Sequence, residues 1–118
     1  VDDQVYGGGD GMLIKAQPVI DGVNAIIQQY DLKKSDFAIL FPSPAQEIFT
    51  QKIAYGLSKK EHIIFICGRY EGIDTRAEYY FQKQYPEQFR KISLGQFIVL
   101  GGEVPSMIMI EAIGRLVP

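Results

Sequence analysis

The sequence predicts an α/β fold in which a mostly parallel sheet is covered by helices on both faces. Short runs of consecutive apolar residues, typical of strands buried on both sides, alternate with segments whose apolar residues recur at helical spacing. Each apolar run ends in glycine or proline, where a strand gives way to a connecting loop. The chain has 118 residues, which is enough for one domain.

The predicted elements alternate along the chain. Apolar residues recur at helical spacing in four segments, which span residues 16–30, 46–57, 73–81 and 107–116. Three continuous apolar runs predict strands over residues 37–41, 62–67 and 97–100. We expect the polar segments over residues 1–11 and 82–91 to be loops.

Composition excludes several classes of protein. Hydrophobic residues make up 47% of the chain, which is enough to fill a core, so a disordered segment is not expected. No apolar stretch approaches the length needed to span a membrane, and we expect a cytoplasmic protein.

The single Cys67 and the single His62 argue against disulfides, a multi-cysteine zinc site and a histidine-based triad. We expect Cys67 to be a buried packing residue. A net charge of −2 argues against binding nucleic acid by overall charge alone.

The segments after the three predicted strands form a candidate ligand site. Residues 42–44, 68–72 and 101–105 are rich in glycine, proline and small polar side chains. In parallel sheets the carboxyl ends of the strands share one edge, and ligands bind in the crevice outside it. Such turns need glycine and proline for their dihedral angles in any case, but three in succession favour a binding site.

Two other motifs leave more than one interpretation open. Residues 6–11, YGGGDG, lack the lysine of a Walker motif and the spacing of a Rossmann motif, so we expect a lid, a substrate-facing turn or a plain surface loop. Residues 68–74, GRYEGID, place carboxylates after a buried strand. These could bind an ammonium, a ribose hydroxyl or a metal, or Arg69 could pair locally with Glu71 or Asp74.

Four segments, taken in order, resemble the bacterial tRNA (guanine-N1) methyltransferases of the SPOUT superfamily. They are VDDQVYGGGDGM, FPSPAQEIFTQ, CGRYEGID and ISLGQFIVLGGEVPSMIMIEAIGRLVP, and together they cover nearly the whole chain. The resemblance implies methyl transfer from S-adenosylmethionine to N1 of the guanosine 3′-adjacent to the anticodon of tRNA. It also implies a deep trefoil knot near the C-terminal end of the domain and a homodimer with each site at the subunit interface.

The resemblance implies a cofactor cleft built from three segments, and we assign no metal-ligating residues. Its first wall comprises Phe41, Pro42 and Ser43. Its second comprises Gly68, Tyr70 and Glu71, with Glu71 near the methionine part of the cofactor. Adenine and ribose would be held, largely by backbone atoms, by Leu94, Gly95, Gln96, Phe97, Ile98, Val99, Gly101, Gly102 and Pro105.

Arg115 matches the family arginine that faces the guanine. Methylating N1 removes a proton and moves negative charge onto O6, which a fixed guanidinium stabilises. The alternative is a solvated residue that interacts with the dipole at the end of the last helix.

The sequence departs from the family pattern at Ala45, Gln46, Gln96, Phe97 and Leu100, which affects side-chain contacts to the cofactor more than backbone contacts. The resemblance also implies that residues 1–118 are a catalytic domain incomplete at both ends, without the general-base aspartate and the C-terminal tRNA-binding domain. We therefore expect this chain alone to bind cofactor without transferring a methyl group. The alternatives are another SPOUT RNA methyltransferase, acting on a ribose hydroxyl or an rRNA base, or a non-catalytic cofactor-binding or dimerisation module.

Overall fold

The computed structural model describes residues 15–45, 47–68, 74–95 and 102–118. The predicted loop over residues 1–11 and the predicted strand over residues 97–100 lie outside these ranges. Helices and strands alternate through the part described. The helices are α1 (Ala16–Gln29), α2 (Gln51–Leu57), α3 (Thr75–Gln84) and α4 (Glu103–Gly114). The strands are β1 (Phe37–Pro42), β2 (His62–Phe65) and β3 (Phe89–Ile92).

The three strands form one parallel sheet in the order β2-β1-β3. In the central strand, Ile39 pairs with Ile64 of β2 on one side and with Phe89 of β3 on the other. All six residues of β1 are buried, as its unbroken apolar sequence predicts for a strand covered on both faces. The predicted parallel sheet is therefore confirmed.

Side chains of β1 alternate between two apolar clusters, one on each face of the sheet. Phe37, Ile39 and Phe41 point to the first face, and Ala38 and Leu40 point to the second. The first cluster is completed by Val19 and Val23 of α1 and by Ala77 and Phe81 of α3. The second is completed by Ala54 and Leu57 of α2 and by Met109 and Ile113 of α4. Helices cover both faces, as predicted.

The predicted loop over residues 82–91 is limited to residues 85–88, and the prediction was wrong for both ends of the segment. Helix α3 continues to Gln84, and β3 follows at Phe89–Ile92. Only the two ends of β3 are buried. Its middle residues, Arg90 and Lys91, remain partly exposed and form ion pairs with Glu47 and Glu78. Because β3 lies at an edge of the described sheet, charged side chains are tolerated there. The strand therefore lacks the continuous apolar run from which the other strands were predicted.

The boundaries of two helices and one strand also differ from the prediction. Helix α2 begins at Gln51, not at residue 46, because Ile48 forms a parallel bridge with Ser93 and Thr50 caps the helix by accepting from the backbone N–H of Ile53. Helix α4 begins at Glu103, four residues before the predicted start, and ends at Gly114. Strand β2 is shorter than predicted and ends at Phe65.

Asp74 caps α3 and pairs with Arg76. Its carboxylate accepts from the Arg76 backbone N–H at 2.8 Å and from the guanidinium at 2.8 Å. These hydrogen bonds lower the pKa of Asp74 from 3.8 to about 2. Because the folded-state pKa is the lower one, the cap stabilises the fold above the ordinary pKa and is lost as the pH falls toward 2.

Candidate functional site

At the carboxyl edge of the sheet, successive connections leave the strands toward opposite faces. After β1 the chain forms α2 on one face, and after β2 it forms α3 on the other. In open α/β sheets, ligands bind outside the carboxyl ends of the strands at the point where the strand order reverses. In the described order β2-β1-β3 this reversal falls at β1, which predicts a crevice at the carboxyl edge between the ends of β1 and β3.

The end of β1 offers backbone atoms and one hydroxyl to this crevice. The ring of Phe41 is only 2% exposed and packs in the α1–α3 cluster, so its side chain does not line the cleft. Pro42 is buried, and the backbone N–H of Ser43 donates to the carbonyl of Ile92 at 3.0 Å. The Ser43 Oγ is buried and has no hydrogen-bond partner among the described residues. A polar group on a ligand would satisfy it.

The end of β2 is in close backbone contact with the start of α4. The backbone N–H of Gly102 donates to the carbonyl of Gly68 at 2.6 Å. A Cβ at Gly102 would lie 3.1 Å from the Cα of Cys67 and 3.2 Å from the N of Gly68. Only glycine allows this approach without a shift of backbone. Pro105, one turn into α4, is buried.

Cys67 lies just past the end of β2, and its predicted burial was wrong. The residue is exposed, because the strand ends at Phe65 and the chain has already left the sheet. Its Sγ lies 3.2 Å from the Oγ of Ser106 in the first turns of α4. This contact is a second link between the end of β2 and α4.

The end of β3 brings Leu94 and Gly95 to the same edge. Leu94 is partly buried against the α2–α4 cluster. The backbone N–H of Gly95 donates to the Oγ of Ser93 at 3.0 Å, and that hydroxyl donates to the Gly95 carbonyl at 2.6 Å. Ser93 was not among the predicted site residues. The signal that could have found it is a serine two residues before a glycine, a composition typical of turns closed by a side-chain hydroxyl.

Not every predicted site residue lies in the described part of the chain. Tyr70, Glu71, Gln96, Phe97, Ile98, Val99 and Gly101 lie outside it, and so does the predicted Arg69. Asp74 pairs with Arg76, and the predicted local pairing of Arg69 lies outside the described residues. Within the described residues, no group of three or more histidine, cysteine, aspartate or glutamate side chains could hold a metal ion.

Arg115 is far from this crevice in the same chain. It is exposed and caps the C-terminal end of α4, whose N-terminal cap is Gly102. Thirteen residues of helix rise separate the two, which is about 20 Å. No ion pair to its guanidinium forms among the described residues. The structure does not bring Arg115 to the strand ends of its own chain.

The fold is an α/β domain whose parallel sheet is covered by helices on both faces, a class that binds ligands at the carboxyl edge of the sheet. The whole chain, residues 1–118, matches the sequence model of the family described as tRNA (Guanine-1)-methyltransferase TrmD, and the chain belongs to that family. This confirms the family that the four sequence segments resemble.

Two relatives are similar over the full chain. It is 44% identical over 118 residues to the tRNA (guanine-N(1)-)-methyltransferase of Dictyoglomus turgidum and 45% identical over 118 residues to that of Clavibacter sepedonicus. These alignments cover 100% of this chain but 43% and 49% of the relatives. The chain therefore spans less than half the length of these two proteins.

The helices in the described ranges are all too short or too polar to cross a lipid bilayer.

We expect Gly102→Ala to weaken ligand binding at this edge. The added methyl group would press on backbone atoms of Cys67 and Gly68, which must move by a few tenths of an ångström. Overpacking of this kind costs about 1–3 kcal/mol in free energy of unfolding. Calorimetry with S-adenosylhomocysteine and urea denaturation measure the two effects.

The matched control is Gly22→Ala in α1, where an added Cβ would have no atom within 4 Å. The control should retain wild-type affinity and stability or gain slightly in stability. Equal affinity for the Gly102 and Gly22 variants would contradict a role for the Gly68–Gly102 contact in the site.

Proposed function

We propose that this chain is the part of a tRNA methyltransferase that binds S-adenosylmethionine at the carboxyl edge of the sheet. The acceptor is N1 of the guanosine 3′-adjacent to the anticodon. The observation that carries this proposal is the close Gly68–Gly102 backbone contact at the carboxyl edge of the sheet, in a chain of the methyltransferase family. The full-length protein's reaction, substrate and partners are all part of this proposal.

The described residues fit a nucleoside-like cofactor. The buried hydroxyl of Ser43 lacks a partner and is available to a ligand hydroxyl or amine. The glycines at 68, 95 and 102 carry no side chain, so a flat base can approach the backbone closely. Phe41 takes part through its backbone alone, since its ring is in the core. The proposal keeps the family-implied residues outside the described ranges as further contacts: Tyr70, Glu71, Gln96, Phe97, Ile98, Val99 and Gly101.

S-adenosylmethionine supplies, when bound, a methyl group on a positively charged sulfur. The chain's own contribution to the acceptor side is Arg115. When the guanine N1 proton leaves, negative charge develops on O6, and a guanidinium placed beside it lowers the energy of the transition state. The planar fork of arginine suits this contact better than the single ammonium of lysine.

The distance of Arg115 from its own crevice supports a site shared by two subunits. About 20 Å of helix separates Arg115 from Gly102, which no side chain can cover. An arginine that faces the acceptor base must therefore come from another copy of the chain. The proposal is a homodimer in which Arg115 of one subunit serves the crevice of the other.

Helix α4 carries the apolar surface that such a dimer needs. Its outward side chains include Val104, Met107, Ile108 and Ile110, which are 48–61% exposed. A helix that is apolar on all sides is normally buried on all sides. A cavity of about 320 Å³, lined in part by Ile110, Gly114 and Val117, continues this surface toward α2 and β2. We call the outward side chains at 104, 107, 108 and 110 the α4 face.

The same proposal includes membership of the SPOUT superfamily, a C-terminal trefoil knot and a location in the cytoplasm with the tRNA substrate. Family membership supports the first two, and the proposed substrate supports the third.

The proposed function is tested with a full-length protein that carries this chain, S-adenosylmethionine labelled in the methyl group, and a tRNA transcript with guanosine 3′-adjacent to the anticodon. Nuclease digestion and mass spectrometry should find N1-methylguanosine at that position. A transcript with adenosine there is the matched control and should remain unlabelled. A methyl group on a ribose hydroxyl or on another base would overturn the proposal.

A further inference from the structure

Ser93 joins the ends of β1 and β3 through its backbone. Its N–H donates to the carbonyl of Glu47 at 2.9 Å, and its carbonyl accepts from the N–H of Phe49 at 2.7 Å. Ile48 forms a parallel bridge with Ser93 between these two bonds. The segment after β1 is thereby fixed to the end of β3 without any contribution from the Ser93 side chain.

The Ser93 hydroxyl has a different partner, which lies in the proposed cofactor segment. It donates to the carbonyl of Gly95 at 2.6 Å and accepts from the N–H of Gly95 at 3.0 Å. Ser93 is only 6% exposed, and these two bonds use its proton and a lone pair. The proton of the hydroxyl is therefore not available to a ligand. It determines how the chain turns at Leu94 and Gly95.

We propose that Ser93 is a positioning residue for the cofactor. The inference rests on the proposed function, because it assigns the hydroxyl the task of holding the Gly95 peptide in the orientation that cofactor binding requires. Glycine has the widest range of backbone conformations, so Gly95 needs an external constraint if its peptide is to be ordered before the ligand arrives. A peptide fixed in advance binds more tightly, because less ordering remains to be done on binding.

The test compares Ser93→Ala with Ser58→Ala in a full-length protein that carries this chain. Ser58 is a matched control: it is 9% exposed and donates to the carbonyl of Tyr55 at 2.6 Å, at the end of α2 and away from the strand ends. Both variants lose one buried hydroxyl and should lose similar stability in urea denaturation. Only Ser93→Ala should lower the affinity for S-adenosylhomocysteine. Each loss of about 1.4 kcal/mol in binding free energy corresponds to an affinity about tenfold lower.

Two further measurements separate positioning from a merely structural role. In Ser93→Ala the KM for S-adenosylmethionine should rise about as much as the affinity falls, while kcat changes little, since the hydroxyl does not touch the reacting atoms. Hydrogen exchange without ligand should accelerate at the Gly95 amide and remain slow at the Phe49 amide, which is bonded to the Ser93 backbone. Ser93→Thr, which keeps the hydroxyl, should recover most of the affinity.

Failure of the positioning role and failure of the proposed function give different results in these measurements. If the wild-type protein does not bind S-adenosylhomocysteine, both are overturned. If the wild type binds and Ser93→Ala binds equally well, only the positioning role is overturned. Equal losses of affinity in the Ser93 and Ser58 variants would show a general loss of stability and would also overturn it.

Discussion

In a full-length protein that carries this chain, Arg115→Ala is expected to slow the methyl-transfer step by a factor of about 10²–10³. Cofactor affinity should remain at the wild-type level, because the proposed contact of Arg115, which comes from the other subunit, is with guanine O6 and not with the cofactor. The loss follows from removing a guanidinium that stabilises charge on guanine O6. Single-turnover kinetics measure the chemical step, and calorimetry with S-adenosylhomocysteine measures binding.

Arg115→Lys is the informative second variant. It keeps the positive charge but loses the planar fork of donors, so the rate should recover only in part. Full recovery would show that charge alone is needed at this position. An unchanged chemical step in Arg115→Ala would contradict the assigned role and would leave Arg115 as a solvated residue at the end of α4.

Ile108→Glu is expected to dissociate the proposed dimer and, with it, to abolish methyl transfer. Ile108 is 48% exposed on the α4 face, and a carboxylate there would be buried without a partner in the dimer. Loss of a central apolar anchor costs at least about 2 kcal/mol, or about 30-fold in the dimer dissociation constant. Sedimentation measures that constant, and the labelled-methyl assay measures transfer.

Ile26→Glu is the matched control for this variant. Ile26 is 38% exposed on α1, on the opposite face of the sheet from α4, and the same substitution there should leave the dimer and the activity intact. The Ile108 variant should still bind S-adenosylhomocysteine, since the crevice belongs to one chain and only the arginine is shared. A monomeric Ile108→Glu protein with wild-type transfer would contradict the shared site.

The buried parts of the fold could be predicted from the sequence. Strand β1 is apolar at every position, a pattern typical of a strand covered on both faces. Helix α1 lies within one residue of its predicted end, because Val19 and Val23 mark its buried face. Strand β3 could not be found in this way. At the edge of the described sheet, Arg90 and Lys91 can remain partly exposed, so the apolar run is missing.

The backbone contact in the candidate site could be predicted from the sequence. The distance of Arg115 from that contact could not. Glycine after β2 and before α4 indicates close backbone approach, and the Gly68–Gly102 contact is such an approach. The separation of Arg115 from that contact depends on where α4 begins, which the apolar pattern placed four residues late. The apolar pattern of α4 did not reveal its start, because Glu103 and Val104 are exposed and Gly102 provides no side-chain cap.

In the proposed enzyme, the carboxyl edge of the sheet holds the methyl donor. A crystal structure of a full-length protein with S-adenosylhomocysteine tests this assignment most directly. The ligand should contact Ser43, Gly68, Gly95 and Gly102, with the Ser43 Oγ hydrogen-bonded to it. A ligand bound instead in the apolar cavity between α2, β2 and the end of α4, with the Ser43 Oγ still unpartnered, would contradict the account.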